Sequence, residues 1–160
     1  MVGNLNTRVG SFEIDRVHQA LDYFGLNSLA HRHIAALSGG QRQLVFICQA
    51  LVRNPKVLVF DEPTSSLDLC RQYEVMQKLQ EITRTNNICT LLTLHHLELV
   101  AHFADQVLVV HEGGIYSSGE PQDVLSEQMF RDVFRLETEV FTDARGTTRV
   151  LPIAPCAMLN

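Results

Sequence analysis

Tryptophan is absent from the 160 residues, lysine occurs only as Lys56 and Lys78, and the longest uninterrupted apolar run, Leu44 to Cys48, is five residues long. A membrane-crossing helix needs roughly 20 apolar residues, so nothing in this sequence spans a bilayer. Basic residues are outnumbered, 13 Lys and Arg against 18 Asp and Glu, and the net charge of -5 divides into +1 over residues 1–80 and -6 over 81–160. A nucleic-acid-binding surface would lean the other way. Cys48, Cys70, Cys89 and Cys156 form no C-x-x-C pair, and three lie in or beside apolar segments, so buried free thiols are expected rather than disulfides or zinc ligands. Met1 to Gly10 holds one arginine and no apolar stretch, which is not a secretory signal and leaves the cytoplasm as the default compartment. What is present, 46% hydrophobic and 19% charged residues, suffices for a globular core and excludes fibrous and disordered chains.

Hydrophobic spacing divides the chain. Ile14, Val17, Leu21 and Phe24 keep near-helical intervals before Gly25, and Leu44, Ile47, Cys48 and Leu51 do so between Ser38 and Asn54-Pro55. Val57 to Phe60 reads as a strand buried on both faces, as does Ile88 to Leu92, with a helix from about Arg71 to Arg84 between them. Residues 97–103 form a short helix. Val107 to Val110 is a further strand, turned by Glu112-Gly113-Gly114 into an antiparallel return over Ile115 to Ser117. Pro121 suits the first turn of a helix, and Asp143 to Gly146 joins a hairpin between Glu139 to Phe141 and Thr147 to Leu151. Strands alternating with helices give an α/β domain behind a helical insert of about 50 residues.

Three places carry chemistry. Ser38-Gly39-Gly40-Gln41 opens a helix, where backbone N–H groups, a hydroxyl and the helix dipole favour an anion; a plain capped loop is the other reading. Asp61 and Glu62 end the strand Val57 to Phe60 at the sheet edge where α/β proteins bind ligands. There Asp61 can hold magnesium through a water and Glu62 can orient or deprotonate a water attacking a γ-phosphate, or the two acids can simply form a turn before Pro63. Asp68 either serves this edge or caps the next helix. His95 follows the strand Ile88 to Leu92 and reaches the same edge. Adjacent side chains on an extended chain point to opposite sides, so His95-His96 is discounted as a metal pair, and His31 and His33 are read as solvated loop residues.

In this order the pieces resemble the nucleotide-binding subunit of an ATP-binding cassette (ABC) transporter. Leu37 to Gln41 is similar to the signature motif, Val57 to Glu62 to the Walker B strand with its catalytic glutamate, Ser65 to Asp68 to the D-loop and His95 to the switch histidine; Gly119 to Leu125 is similar to the stretch after the last core strand. His96 departs from the acid usual there, and Gln43 and Leu44 from the usual basic run. Leu94 to Leu97 and the tail with Phe130 to Phe134 look most like importers of iron chelates, haem or cobalamin.

The resemblance implies an incomplete P-loop NTPase fold of ABC type: a helical subdomain over 1–53, the Walker B, D-loop and switch part of a mostly parallel core sheet over 54–118, and carboxyl-terminal helices and hairpin over 119–160. It implies ATP and Mg2+ as cofactors, with Glu62 and His95 catalytic, Ser38, Gly39, Gly40, Gln41 and Asp68 nucleotide-binding and Asp61 on magnesium. The implied partners are a second ATPase subunit and membrane permease subunits at the inner face of the cell membrane, with neither nucleic acid nor direct insertion. The sequence contains no G-x-x-x-x-G-K-[ST], and neither lysine follows a glycine. These residues therefore resemble the carboxyl-terminal part of a cassette, and a chain without a P-loop is not expected to hydrolyse ATP alone. In the family the P-loop strand lies beside Walker B, so an exposed apolar edge is expected. The other function to weigh is an inactive half-cassette that binds and regulates a complete ATPase or permease.

Overall fold

The computed structural model describes residues 11–156 and divides into two compact units between Thr93 and Leu94. The first contains helix α1 (Ser11–Tyr23), two single 3-10 turns (Asn27–Leu29 and Ile34–Ala36), α2 (Gly39–Val52), strand β1 (Val57–Asp61), α3 (Leu69–Thr85) and β2 (Cys89–Thr93). Gly25 stops α1 in the left-handed region at φ 68°. Its N–H donates to Asp22 O (2.9 Å) while that of Leu26 donates to Leu21 O (2.7 Å), a Schellman ending. Leu21, Phe24 and Leu26 then pack with Leu44, Ile47 and Cys48 of α2 and Val75 and Leu79 of α3. The predicted inward stripe of α1 holds only over its second half. Ile14 is 46% and Val17 39% exposed, because the core begins at Ala20.

β1 and β2 run parallel, pairing Val57 with Cys89, Val59 with Leu91 and Asp61 with Thr93. Neither strand is buried on both faces as their continuous apolar runs imply. Leu58 (3% exposed) and Phe60 turn to the helices, whereas Val57, Val59 and Leu91 are 58%, 66% and 56% exposed. Period-two alternation sends one set of side chains to α2 and α3, and the described residues supply no layer for the other set. The exposed apolar surface expected at this strand is present, on its face as much as its edge.

The second unit contains α4 (Leu97–Phe103), the antiparallel pair β3 (Val107–His111) and β4 (Gly114–Gly119), short helices α5 (Pro121–Val124) and α6 (Glu127–Met129), a π-helical turn at Phe130–Phe134, and the hairpin β5 (Leu136–Thr142) with β6 (Thr148–Pro155). His111 pairs with Gly114 across a two-residue loop in which Glu112 (φ 49°) and Gly113 (φ 78°) are both left-handed, the turn that matches strand twist. Asp143 Oδ1 accepts from Arg145 N (2.9 Å) and Thr147 N (3.0 Å) and so shapes the other hairpin loop. Leu125, Met129 and Phe130 are the buried centre, with Leu97, Ala101, Val109, Val140 and Val150 around them. Both hairpins are longer than their predicted strands.

All four cysteines are free, but only Cys48 is buried; Cys70 and Cys89 are exposed and Cys156 is intermediate. Cys89 lies on the uncovered face of the β1–β2 pair, which is why an apolar neighbourhood in sequence did not bury it. Among the described residues no helix is long and apolar enough to cross a membrane.

Candidate functional site

The start of α2 is built by its own residues. Ser38 has extended dihedrals (φ -63°, ψ 164°); its Oγ accepts from Gln41 N (3.2 Å) and its N–H donates to Gln41 Oε1 (3.0 Å), completing a capping box. Gly39 and Gly40 form the first turn. A Cβ on Gly40 would stand 2.8 Å from Leu67 Cδ2 and 3.4 Å from Ser66 O, so a side chain there would push the Leu67 side chain aside where the 65–68 segment lies against this turn. Asp68 caps α3, its Oδ1 accepting from Arg71 N at 3.0 Å. Gln72 Nε2 donates to Thr64 O and Leu67 O, both at 3.2 Å, and so holds the same segment from beneath.

Asp61 and Glu62 are assembled from distant parts of the first unit. Asp61 ends β1 opposite Thr93, whose hydroxyl donates to Asp61 Oδ1 and accepts from Glu62 N (3.0 Å). Glu62 N also reaches Thr93 O (3.2 Å). The Glu62 carbonyl accepts from Gln43 Nε2 of α2 (2.8 Å), Ser65 Oγ (3.1 Å) and Ser65 N (3.2 Å). Between these anchors Glu62 takes φ 46°, a left-handed conformation that costs a non-glycine residue on the order of 1–3 kcal/mol. Thr93 and Gln43 are the hydrogen-bonding neighbours of Asp61 and Glu62 that the sequence alone does not reveal. Thr93 becomes legible as the strand-end partner of Asp61 only with the register, and in the sequence Gln43 shows only as a departure from the usual basic run.

Ser38 to Gln41, the 65–68 segment, Asp61 and Glu62 are thus brought together within one unit. His95 belongs to the other unit, two residues after Thr93. Its ring lies 4.3 Å from that of His96, so the expected divergence of the pair is not observed; the chain bends at His95 instead of running extended. The described residues contain no cluster of three or more His, Cys, Asp or Glu able to hold a metal. A magnesium ion that completes its octahedron with waters and phosphates needs only one or two carboxylates, and the exposed, hydroxyl-anchored Asp61 carboxylate is a hard oxygen donor of that kind. His31 and His33 are exposed, and His33 Nδ1 accepts from Ala35 N at 3.3 Å. A shallow cleft of about 540 Å³ lies elsewhere, beside Asp15 and Arg16 of α1 and the carboxyl ends of α2 and α3.

A capped glycine turn packed on a loop that leads back to a strand-end Asp-Glu is an ATPase-cassette arrangement on a partial P-loop NTPase sheet. A solved inward-facing transporter structure described as of metal-chelate type superposes with a TM-score of 0.82 at 30% identity, over 94% of this chain and 61% of that one. The family model described as ABC transporter matches residues 6–65. The chain is 37% identical to the petrobactin import ATP-binding protein FpuD of Bacillus anthracis (86% of this chain, 51% of the relative). It is 35% identical to the iron(3+)-hydroxamate import ATP-binding protein FhuC of Bacillus subtilis (79% and 47%). The chain belongs to the ATP-binding cassette family. It spans about half the length of these curated relatives.

Proposed function

We propose that these residues form the signature and Walker B half of the ATP-hydrolysing subunit of an importer for iron–siderophore, haem or cobalamin complexes. The observation that carries the reading is the direct packing of the Ser38-capped turn, the 65–68 segment and the Asp61–Glu62 strand end in one unit. The names of the siderophore-import relatives favour the solute class. Magnesium-bound ATP, when present, supplies the phosphoanhydride whose cleavage drives transport. Asp61 would hold the ion, Glu62 would take up the proton of the attacking water, and His95 would donate a hydrogen bond to the γ-phosphate. Ser38 to Gln41 close over a nucleotide held by a second ATPase subunit, and Asp68 lies at that subunit contact. Permease subunits hold the assembly at the inner face of the membrane and choose the solute together with its external binding protein.

The 160 residues contain no phosphate-cradling G-x-x-x-x-G-K-[ST], so the chain by itself should bind ATP more weakly than submillimolar in calorimetry; tighter binding would overturn the reading. Mixed with a P-loop-bearing cassette, it should trap one ATP per mixed dimer through its signature turn. Ser38→Ala combined with Gly39→Asp should abolish trapping, because a hydroxyl is lost and a carboxylate faces the phosphate. Two nucleotides per dimer, or indifference to those changes, would sink it.

A further inference from the structure

The Glu62 peptide is gripped at both ends. Its N–H is held by Thr93, which pairs with the preceding Asp61 across the strands, and its carbonyl by three donors. Two of those three come from Ser65, three residues along the same turn. The third and shortest, Gln43 Nε2 at 2.8 Å, comes from α2, five residues after its Ser38 cap. The left-handed φ of Glu62 lies between these grips: the Ser65 bonds close a local turn after it, the Gln43 and Thr93 bonds hold it from α2 and β2, and Glu62 has a Cβ with no glycine beside it.

We propose that Gln43 is a positioning residue: its side-chain amide holds the Glu62 carbonyl, fixes the left-handed conformation from which the Glu62 carboxylate projects, and ties that direction to the first turns of α2. Any tilt of the Ser38 turn as it engages a nucleotide is then transmitted to Glu62 through one hydrogen bond. This rests on the reading of Glu62 as the water-activating carboxylate, and it adds a residue that touches neither water nor nucleotide. The bond is directional and of ordinary length, and Gln43 is the α2 side chain that donates to the Glu62 carbonyl.

The test has two arms. In the unsubstituted chain, NMR should detect scalar coupling across the bond from Gln43 Nε2 to the Glu62 carbonyl carbon, and a strong intraresidue amide–Hα NOE reporting the positive φ of Glu62. Gln43→Glu, which keeps the shape and removes the donor, and Gln43→Ala should both weaken that NOE while the amide signals of α2 stay dispersed. In the second arm a P-loop-bearing segment completes the site, and the same variants should lower kcat about tenfold or more with KM for ATP within twofold, the signature of a misdirected group rather than a lost binding contact. Absence of the coupling in the unsubstituted chain, an unchanged NOE in both variants, or a rise in KM at constant kcat would each overturn the proposal. Failure of the unsubstituted assembly to turn over ATP would instead remove the functional reading, and the NMR arm would still decide whether Gln43 sets the Glu62 conformation.

Discussion

The start of α2 and the end of β1 contribute to one site but are built in opposite ways. At Ser38 the hydrogen bonds run to Gln41 and Arg42, three and four residues on. At Glu62 two bonds come from Ser65, three residues on, but the others come from Gln43, 19 residues away, and from Thr93, 31 residues away. The first forms wherever its five residues take helical geometry. The second exists only when α2, β1 and β2 have packed, so it senses the state of the whole unit, which suits a group that must act in concert with its surroundings.

The contrast is broken most severely at the remote end. Once a P-loop-bearing segment completes the site, Glu62→Gln should lower turnover by about 10²–10⁴-fold in a phosphate-release assay and leave ATP bound, because the amide cannot accept a proton. Near-normal turnover would remove Glu62 from its role. Thr93→Val is the next largest: it deletes the hydroxyl shared by Asp61 and Glu62 N at constant volume, and turnover should fall about tenfold. The Thr93 carbonyl still holds Glu62 N, so urea melting should show a loss of only about 1 kcal/mol.

At the local end, in the chain by itself, the effect is read as stability. Ser38→Ala should cost about 1 kcal/mol in the same urea measurement and be rescued in part by Ser38→Asp, whose carboxylate caps equally well. The smallest effect is an alkaline one, at the contacts of α1 with α3 and α2. Burial and then the hydrogen bond to Glu81 raise the Tyr23 phenol from 10.0 to about 12, and burial raises the Cys48 thiol from 9.0 to about 11. Both groups are more readily ionised in the unfolded chain. The stability they contribute is therefore complete below pH 9 and declines as pH climbs through 9–11 for Cys48 and 10–12 for Tyr23. Urea midpoints followed against pH should fall less steeply in Tyr23→Phe and Cys48→Ala; an unaltered slope in both would mean other groups govern the alkaline limb. Iodoacetamide at neutral pH should label the exposed Cys70 and Cys89 while Cys48 reacts only on unfolding.

How much was legible follows the same division. Helix limits, the Gly25 stop, the capping turn at Ser38, the Asp68 cap and the turn at Glu112-Gly113 depend on residues within five positions of one another, and the sequence by itself determined them. It also determined the family, because the motifs keep their order and spacing. Burial of the strands was misjudged, since an apolar run states what a strand prefers to contact and not which layers are there to cover it. Tertiary structure alone decided which face of β1 is covered, that only Cys48 among the cysteines is buried, that the two histidine rings meet at a bend, and that Gln43 and Thr93 hold the Glu62 peptide. The reason is physical: capping and turn chemistry are enforced by short covalent tethers, whereas register, layer order and the remote grips on a left-handed glutamate come from groups that the folded chain carries in from tens of residues away.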